Sequence, residues 1–221
     1  MFKAVLFDMD GTLVDSEKLW DVAMHAFYAR YEAVLTDAVR ETTVGGSAEN
    51  VMRIVYDDLG LDPTPEAMAE SADWLHDYTG ELFEQGLPWR PGAQELLKTL
   101  AASDIPLALV TNTRRALTEQ ALKTIGSHYF TVTVCGDEVP DGKPHPAPYL
   151  RAAELLGVAP EDCLAIEDSV TGAQSADAAG CVVLVVPNDV EVPDGPRRRH
   201  IESLAGLGIA DLRNIYVEMC S

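Results

Sequence analysis

Near the start of the chain the apolar run Val5-Leu6-Phe7 stops at two acids one residue apart, Asp8 and Asp10, followed by Gly11 and Thr12. Such a run reads as a buried strand. A strand end inside a sheet carries charge only where something offsets the several kcal/mol that burying an ion costs. Extended backbone turns residues i and i+2 to one face, about 6 to 7 Å apart, so Asp8 and Asp10 can address one small ligand together. Gly11 lets the backbone swing away in a conformation other residues resist, and the Thr12 hydroxyl can tie the turn. The pair therefore points to a sheet whose first strand presents a metal site, a nucleophile or both at its carboxyl end. The competing reading is an ordinary strand followed by an Asp-Gly hairpin turn.

The rest of the chain favours the first reading. From Ser16 to about Gly86 the pattern is helical and more polar. Trp20, Ala23, Met24, Phe27 and Tyr31 recur at spacings of three and four, and further helices are expected over Ala48–Leu59 and Ala67–Phe83. After Leu87-Pro88-Trp89-Arg90-Pro91-Gly92, helices and short apolar strands alternate. Strands are expected over Pro106–Val110, Thr131–Val134, Cys163–Ile166 and Val182–Val186, with helices between them and a last helix over Ala210–Glu218. This is the signature of an α/β fold: a Rossmann-like parallel sheet in three αβα layers, formed by residues 1–15 and 88–221, with residues 16–87 inserted as an all-helical unit.

Composition removes several classes of partner. A formal net charge of −20 over 221 residues gives no positive footprint for nucleic acid or an anionic membrane. No run approaches the 18 apolar residues of a membrane span, and the start of the chain lacks a signal-peptide pattern, so a cytoplasmic, soluble protein is expected, monomeric or weakly dimeric. Cys135, Cys163, Cys181 and Cys220 are scattered without a CxxC pair, which suits buried reduced thiols. Any phosphorylated substrate must be held by local cations. The basic run Arg197-Arg198-Arg199-His200 follows the turn-rich Pro193-Asp194-Gly195-Pro196 and is expected to be a solvated surface loop.

In open α/β sheets ligands bind beyond the carboxyl ends of the strands, so the residues after each strand matter most. They are Asp8 and Asp10; Thr111-Asn112-Thr113; Asp137, Glu138, Asp141 and then Gly142-Lys143-Pro144; and Glu167-Asp168-Ser169. The exception is Val186, which runs into Pro187-Asn188-Asp189. Mg²⁺ prefers a few carboxylate and carbonyl oxygens, completed by water and substrate phosphate. Asp8, Asp168 and Glu167 are the candidate carboxylates. With the repulsion of an anionic ester relieved, Asp8 could attack phosphorus, while Thr111 and Lys143 hold the phosphoryl oxygens. Asp10 is the candidate to protonate the leaving alkoxide and later to deprotonate water. Each piece also has a plain reading as a helix cap or surface turn; their joint order at successive strand ends is what carries weight.

These segments resemble the haloacid dehalogenase-like superfamily of aspartate-dependent phosphohydrolases. Asp8-Met9-Asp10-Gly11-Thr12 is similar to its first motif, Thr111 to its second, Lys143 to its third and Glu167-Asp168 to its fourth. The β-phosphoglucomutase-like branch is resembled further through Asp8 to Glu17, Gly142-Lys143-Pro144-His145-Pro146 and Glu167 to Gly172. The resemblance implies Mg²⁺ held by Asp8, the Asp10 carbonyl, Asp168 and Glu167, with Asp8 as nucleophile and Asp10 as acid/base. It also implies that the inserted helices form a mobile cap over the site. Haloacid dehalogenases proper lack the second acid, so Asp10 argues against that reaction. The sugar-phosphate mutases carry a histidine where Trp20 stands, and basic residues beside the cap Gly-x-Ser segment, where Val44-Gly45-Gly46-Ser47-Ala48 is uncharged. A phosphatase acting on a small phosphorylated metabolite, a sugar or polyol phosphate, is therefore expected over a mutase or a non-catalytic phospho-ligand-binding protein. Candidate substrate contacts are Trp20, Gly45, Gly46, Ser47 and Asn112, against readings as cap core, helix–helix turn and cap. For Arg114 capping is the default, and His145 reads as a polar neighbour of Lys143.

Overall fold

The computed structural model describes residues 1–186, 188 and 190–220. Its centre is a six-stranded, wholly parallel sheet. The strands are β1 (Ala4–Phe7), β2 (Leu107–Val110), β3 (Val132–Val134), β4 (Cys163–Glu167), β5 (Val182–Val185) and β6 (Arg198–His200), in the order β3-β2-β1-β4-β5-β6. Strand order reverses about β1, because the chain moves outward through β2 and β3 and then returns to the other side of β1 with β4. The carboxyl ends of β1, β2 and β4 therefore open onto one crevice.

Strands β1, β2, β4 and β5 are buried throughout, so they read as continuous apolar runs and their two faces differ in residue size. Val5, Phe7, Leu107, Leu109, Leu164 and Ile166 face a layer of large side chains on α5 (Ala93–Ala101), α6 (Arg115–Ile125) and α9 (Ile209–Cys220). Ala4, Leu6, Ala108 and Ala165 face α7 (Ala147–Leu156) and α8 (Val170–Ala179), which answer with Ala152, Ala153, Ala173 and Ala176. Burial on both sides explains the parallel sheet: with helices on each face, no edge of the central strands needs water.

Between β1 and α5 the chain forms α1 (Glu17–Ala29), α2 (Asp37–Thr43), α3 (Ala48–Leu59) and α4 (Pro65–Phe83). They share a separate apolar cluster, with Met24, Phe27 and Tyr28 on α1, Met52, Val55 and Tyr56 on α3, and Ala72 and Leu75 on α4. Thr36, Ser47 and Thr64 cap the N-termini of α2, α3 and α4 through their hydroxyls. The two chain segments leading in and out are bound together: Asp15 N–H donates to Pro88 O, and Arg90 N–H to Leu13 O.

The strand and helix expectations hold to within a residue or two, with two corrections. Helix α2 was not anticipated, since seven residues of mostly polar sequence have too little apolar periodicity to register. The basic run is not a solvated loop. Arg198–His200 pairs with β5 as the edge strand, and the Arg198 guanidinium is held by Asp177 at 2.6 Å and by the Pro193 carbonyl. Parallel pairing uses backbone groups alone, and charged side chains are well suited to an edge. Cys135, Cys163 and Cys181 are free and buried, and Cys220 is free and exposed. No helix of the described residues is long and apolar enough to cross a membrane.

The central position of β4 makes its core side chains costly to truncate. Leu164→Ala, at a fully buried site, is expected to lower unfolding free energy by about 3 kcal/mol, read as a shift of the urea midpoint.

Candidate active site

The crevice is organised by one ammonium. Lys143 reaches the end of β1, where its Nζ lies 2.6 Å from Asp8 Oδ1, and the end of β4, 2.6 Å from Glu167 Oε1. It also donates to the Val110 carbonyl at the end of β2. Burial by itself would lower its pKa, but the two carboxylates outweigh that and hold it above the ordinary lysine value. Tyr149 from α7 donates a second hydrogen bond to Glu167 Oε1, and Ser169 donates to Oε2. Glu167 is thereby enclosed on every side, and Gly172 is the reason it fits: a Cβ there would stand about 2.0 Å from the carboxylate.

Asp8, Glu167 and Asp168 bring carboxylate oxygens within 4.8 Å of one another, all buried. Three carboxylates thus face one ammonium. Burial, followed by the Glu167 charge, pushes the Asp8 carboxyl up to about 8 against the opposing pull of Lys143. Burial and the charges of Asp8 and Glu167 push Asp168 well above the usual carboxylate range. The surplus negative charge and the all-oxygen donor set fit a hard divalent cation such as Mg²⁺. Asn188 lies beside the cluster: its buried Nδ2 has no hydrogen-bond partner and lies about 3.3 Å from where a Gly11 Cβ would be, a donor suited to an oxygen acceptor rather than to the cation. The strand end that looked empty in the sequence therefore supplies a polar group to the same place. Its neighbours Pro187 and Asp189 lie outside the described residues.

Asp10 is held differently. Its Oδ1 accepts from Ser16 Oγ at 2.6 Å and from the Trp20 indole N–H at 3.3 Å; its Oδ2 accepts from Thr113 Oγ1 at 2.7 Å and Thr111 Oγ1 at 3.2 Å. The donors come from α1 and its N-terminal turn on one side and from the end of β2 on the other. This arrangement assigns several expected residues new partners. Thr111 turns its hydroxyl to Asp10 rather than standing free for a phosphoryl oxygen. Trp20 packs its ring edge-on against His76, and its N–H donates to Asp10.

Asn112 joins two loops. Its Nδ2 donates to the carbonyls of Gly45 and Lys143, and its Oδ1 accepts the Lys143 backbone N–H. Gly45 has φ of +66°, and a Cβ would press against Ser169 at 3.0 Å. Gly45 and Gly46 line the central cavity of about 80 Å³, together with Asp8, Asp10, Trp20 and Lys143. Ser47 does not; its hydroxyl caps α3, where the backbone N–H groups of the helix start compete for it. Arg114 is the N-cap residue of α6 but makes no side-chain cap bond; it lies outside the central cavity and pairs with Asp73 of α4. His145 accepts the Ala147 N–H with its ring. Sequence reasoning missed Ser16, Thr113 and Tyr149 as supports. Thr113 could have been found, since alternation places it on the same side as Thr111, whereas nothing local marks Tyr149.

Residues 2–180 match the sequence profile of the haloacid dehalogenase-like hydrolases. The chain belongs to that family. It is 32% identical to the phosphorylated carbohydrates phosphatase of Thermotoga maritima over 179 residues, covering 80% of this chain and 82% of the relative. It is 34% identical to the phosphoglycolate phosphatase of Thiobacillus denitrificans over 197 residues, covering 84% and 83%. Among solved structures, CbbY of Rhodobacter sphaeroides in complex with xylulose-(1,5)bisphosphate aligns with a TM-score of 0.83 at 29% identity, over 96% of this chain and 99% of that one. This member of the haloacid dehalogenase-like hydrolases is thus an enzyme with phosphatases among its relatives.

At Gly11 the backbone has φ of +80°, and an added Cβ would lie 1.9 Å from Asp168 Oδ2. Gly11→Ala is therefore expected to displace Asp168 and to weaken Mg²⁺ binding at least tenfold by titration calorimetry, beyond the about 1 kcal/mol of stability lost to the left-handed backbone.

Proposed function

We propose that this hydrolase is a Mg²⁺-dependent phosphomonoesterase acting on a small phosphorylated metabolite, of the sugar or polyol phosphate kind, through an aspartyl-phosphate on Asp8. The observation that carries the reading is the pairing of a buried carboxylate cluster and Lys143 around Asp8 with a second carboxylate, Asp10, held apart by four donors. One carboxylate is placed for attack and the other for proton transfer.

Asp8, Asp168, the Asp10 carbonyl and Glu167 are the groups that would hold Mg²⁺, with Glu167 committed first to Lys143 and Tyr149. Bound there, the cation supplies positive charge that lets an anionic ester approach an anionic nucleophile. Asp8 attacks phosphorus, forming the Oδ–P bond as the P–O bond to the alcohol breaks. Asp10 gives its proton to the departing alkoxide. In the second half, Asp10 takes a proton from water as that water attacks the aspartyl-phosphate, releasing inorganic phosphate and freeing Asp8. Lys143 steadies charge on the transferring group and orients Asp8. Ser16, Trp20, Thr111 and Thr113 position the Asp10 carboxyl rather than react. Residues 16–87 act as a cap whose closure shields the intermediate from bulk water; the Asn112 bond to the Gly45 carbonyl and the Arg114–Asp73 pair tie it to the sheet side.

The carboxylate nucleophile is tested directly by Asp8→Asn, which is expected to reduce Mg²⁺-dependent phosphate release by at least a thousandfold while circular dichroism stays unchanged; retained turnover would remove the covalent step. Asp10→Asn is expected to slow an alkyl phosphate at least tenfold more than p-nitrophenyl phosphate, whose leaving group needs less protonation, and equal slowing would remove Asp10 from the acid role. Chelation with EDTA is expected to stop phosphate release from either ester, with recovery on adding Mg²⁺.

A further inference from the structure

The cavity beyond the phosphate end has a charge pattern that the proposed chemistry does not use. Among the described residues lining it, the cationic side chains are Lys143 and Arg40. Lys143 is committed to Asp8 and Glu167. Arg40, on α2, extends over the start of α1: its Nη2 lies 2.6 Å from Glu17 Oε2 and also meets the Glu17 carbonyl, its Nε pairs with Asp21, and its Nη1 donates to Thr43 Oγ1. Four of the five guanidinium N–H groups are thus taken by residues of the cap itself. The pair is enclosed, with side-chain exposures of 14% for Arg40 and 9% for Glu17, so neither can turn to solvent for a different partner.

Much of the remaining wall on the cap side is apolar. Met24, Val51, Met52 and Leu75 are apolar. His76 stands in the wall with its Nδ1 bonded to the Ala72 carbonyl and its ring against Trp20, and burial holds its imidazole below the ordinary histidine value, which favours the neutral ring. A carboxylate or second phosphate entering here would lose its hydration beside the Glu17 carboxylate and find no free cation. The hydroxyls and C–H groups of an uncharged alcohol meet no such penalty.

We infer that the cap selects phosphate esters whose alcohol portion is uncharged, because Glu17 and Asp21 neutralise Arg40 where the leaving group sits. This rests on the phosphomonoesterase reading and goes beyond it, since it sets the class of leaving group and makes Glu17 and Arg40 specificity-determining residues. It also separates this chain from its relative named for phosphoglycolate, whose leaving group carries a carboxylate, and from reactions that must hold a second phosphate.

The experiment compares isobutyl phosphate with 2-phosphoglycolate, esters of similar shape that differ in charge, using the full chain with Mg²⁺. The neutral ester is expected to have the higher kcat/KM by at least tenfold. Glu17→Gln removes the buried carboxylate of the two that pair with Arg40, leaving the guanidinium balanced by the half-exposed Asp21 alone, and is expected to move that ratio at least fivefold toward 2-phosphoglycolate, chiefly through KM; loss of packing alone would lower both esters together. Should Glu17→Gln fail to fold by circular dichroism, Asp21→Asn, at a half-exposed site, makes the same test with a smaller shift. Equal or better use of 2-phosphoglycolate by the wild type, or a ratio unmoved in a folded variant, overturns the inference. Calorimetric Kd values for both esters on Asp8→Asn keep the two readings apart. If no ester is hydrolysed but the neutral one binds tighter, the phosphatase chemistry falls and the selection stands; if 2-phosphoglycolate binds tighter, the selection falls.

Discussion

The buried Lys143 ammonium is the interaction on which the rest of the site depends. It ties the ends of β1, β2 and β4 together through Asp8, the Val110 carbonyl and Glu167. A lysine in such a place is stable only because two carboxylates surround it, and the carboxylates are tolerated only because it is there. The arrangement still leaves negative charge in excess, a surplus that a divalent cation would offset. Parallel topology makes the convergence unavoidable: strands that all run one way deliver their terminal loops to one side of the sheet.

Asp10 shows the opposite strategy. It lies two residues from Asp8 but is satisfied by hydroxyl and indole donors, two from the end of β2 and two from the beginning of the inserted helices. Two acids that the sequence places side by side are thereby put in different environments, one defined by charge and the other by neutral donors. Separating the surroundings of paired carboxylates is the general route to separate roles in acid–base chemistry. Because the inserted helices supply half of these donors, the geometry of Asp10 depends on how they sit over the sheet.

Much of this was legible in the chain itself. Apolar runs of four or five residues ending in Asp8, Thr111 and Glu167 marked the strands and their functional ends, since a fully buried strand has no alternative composition and acids at its end have few other uses. The basic run at 197–200 was misread because β6 is defined by backbone pairing with β5, to which its side chains contribute little. Helix α2 escaped notice for want of apolar periodicity, although it carries Arg40, and Tyr149 had no signal because its partner Glu167 is eighteen residues away.

By itself the sequence determined the class of sheet, the inserted helices and which carboxylates stand at the strand ends, because each follows from local pattern: alternation, helical spacing, and charge at the end of an apolar run. Only the tertiary structure decided what each of those groups touches. That Thr111 serves Asp10, that Asn112 bridges to Gly45, and that Arg40 is cancelled by Glu17 and Asp21 are contacts between segments distant in the chain. The physical reason is that a charged or hydrogen-bonding side chain acquires its chemical character from its partners, and partners are assigned by packing rather than by order along the chain.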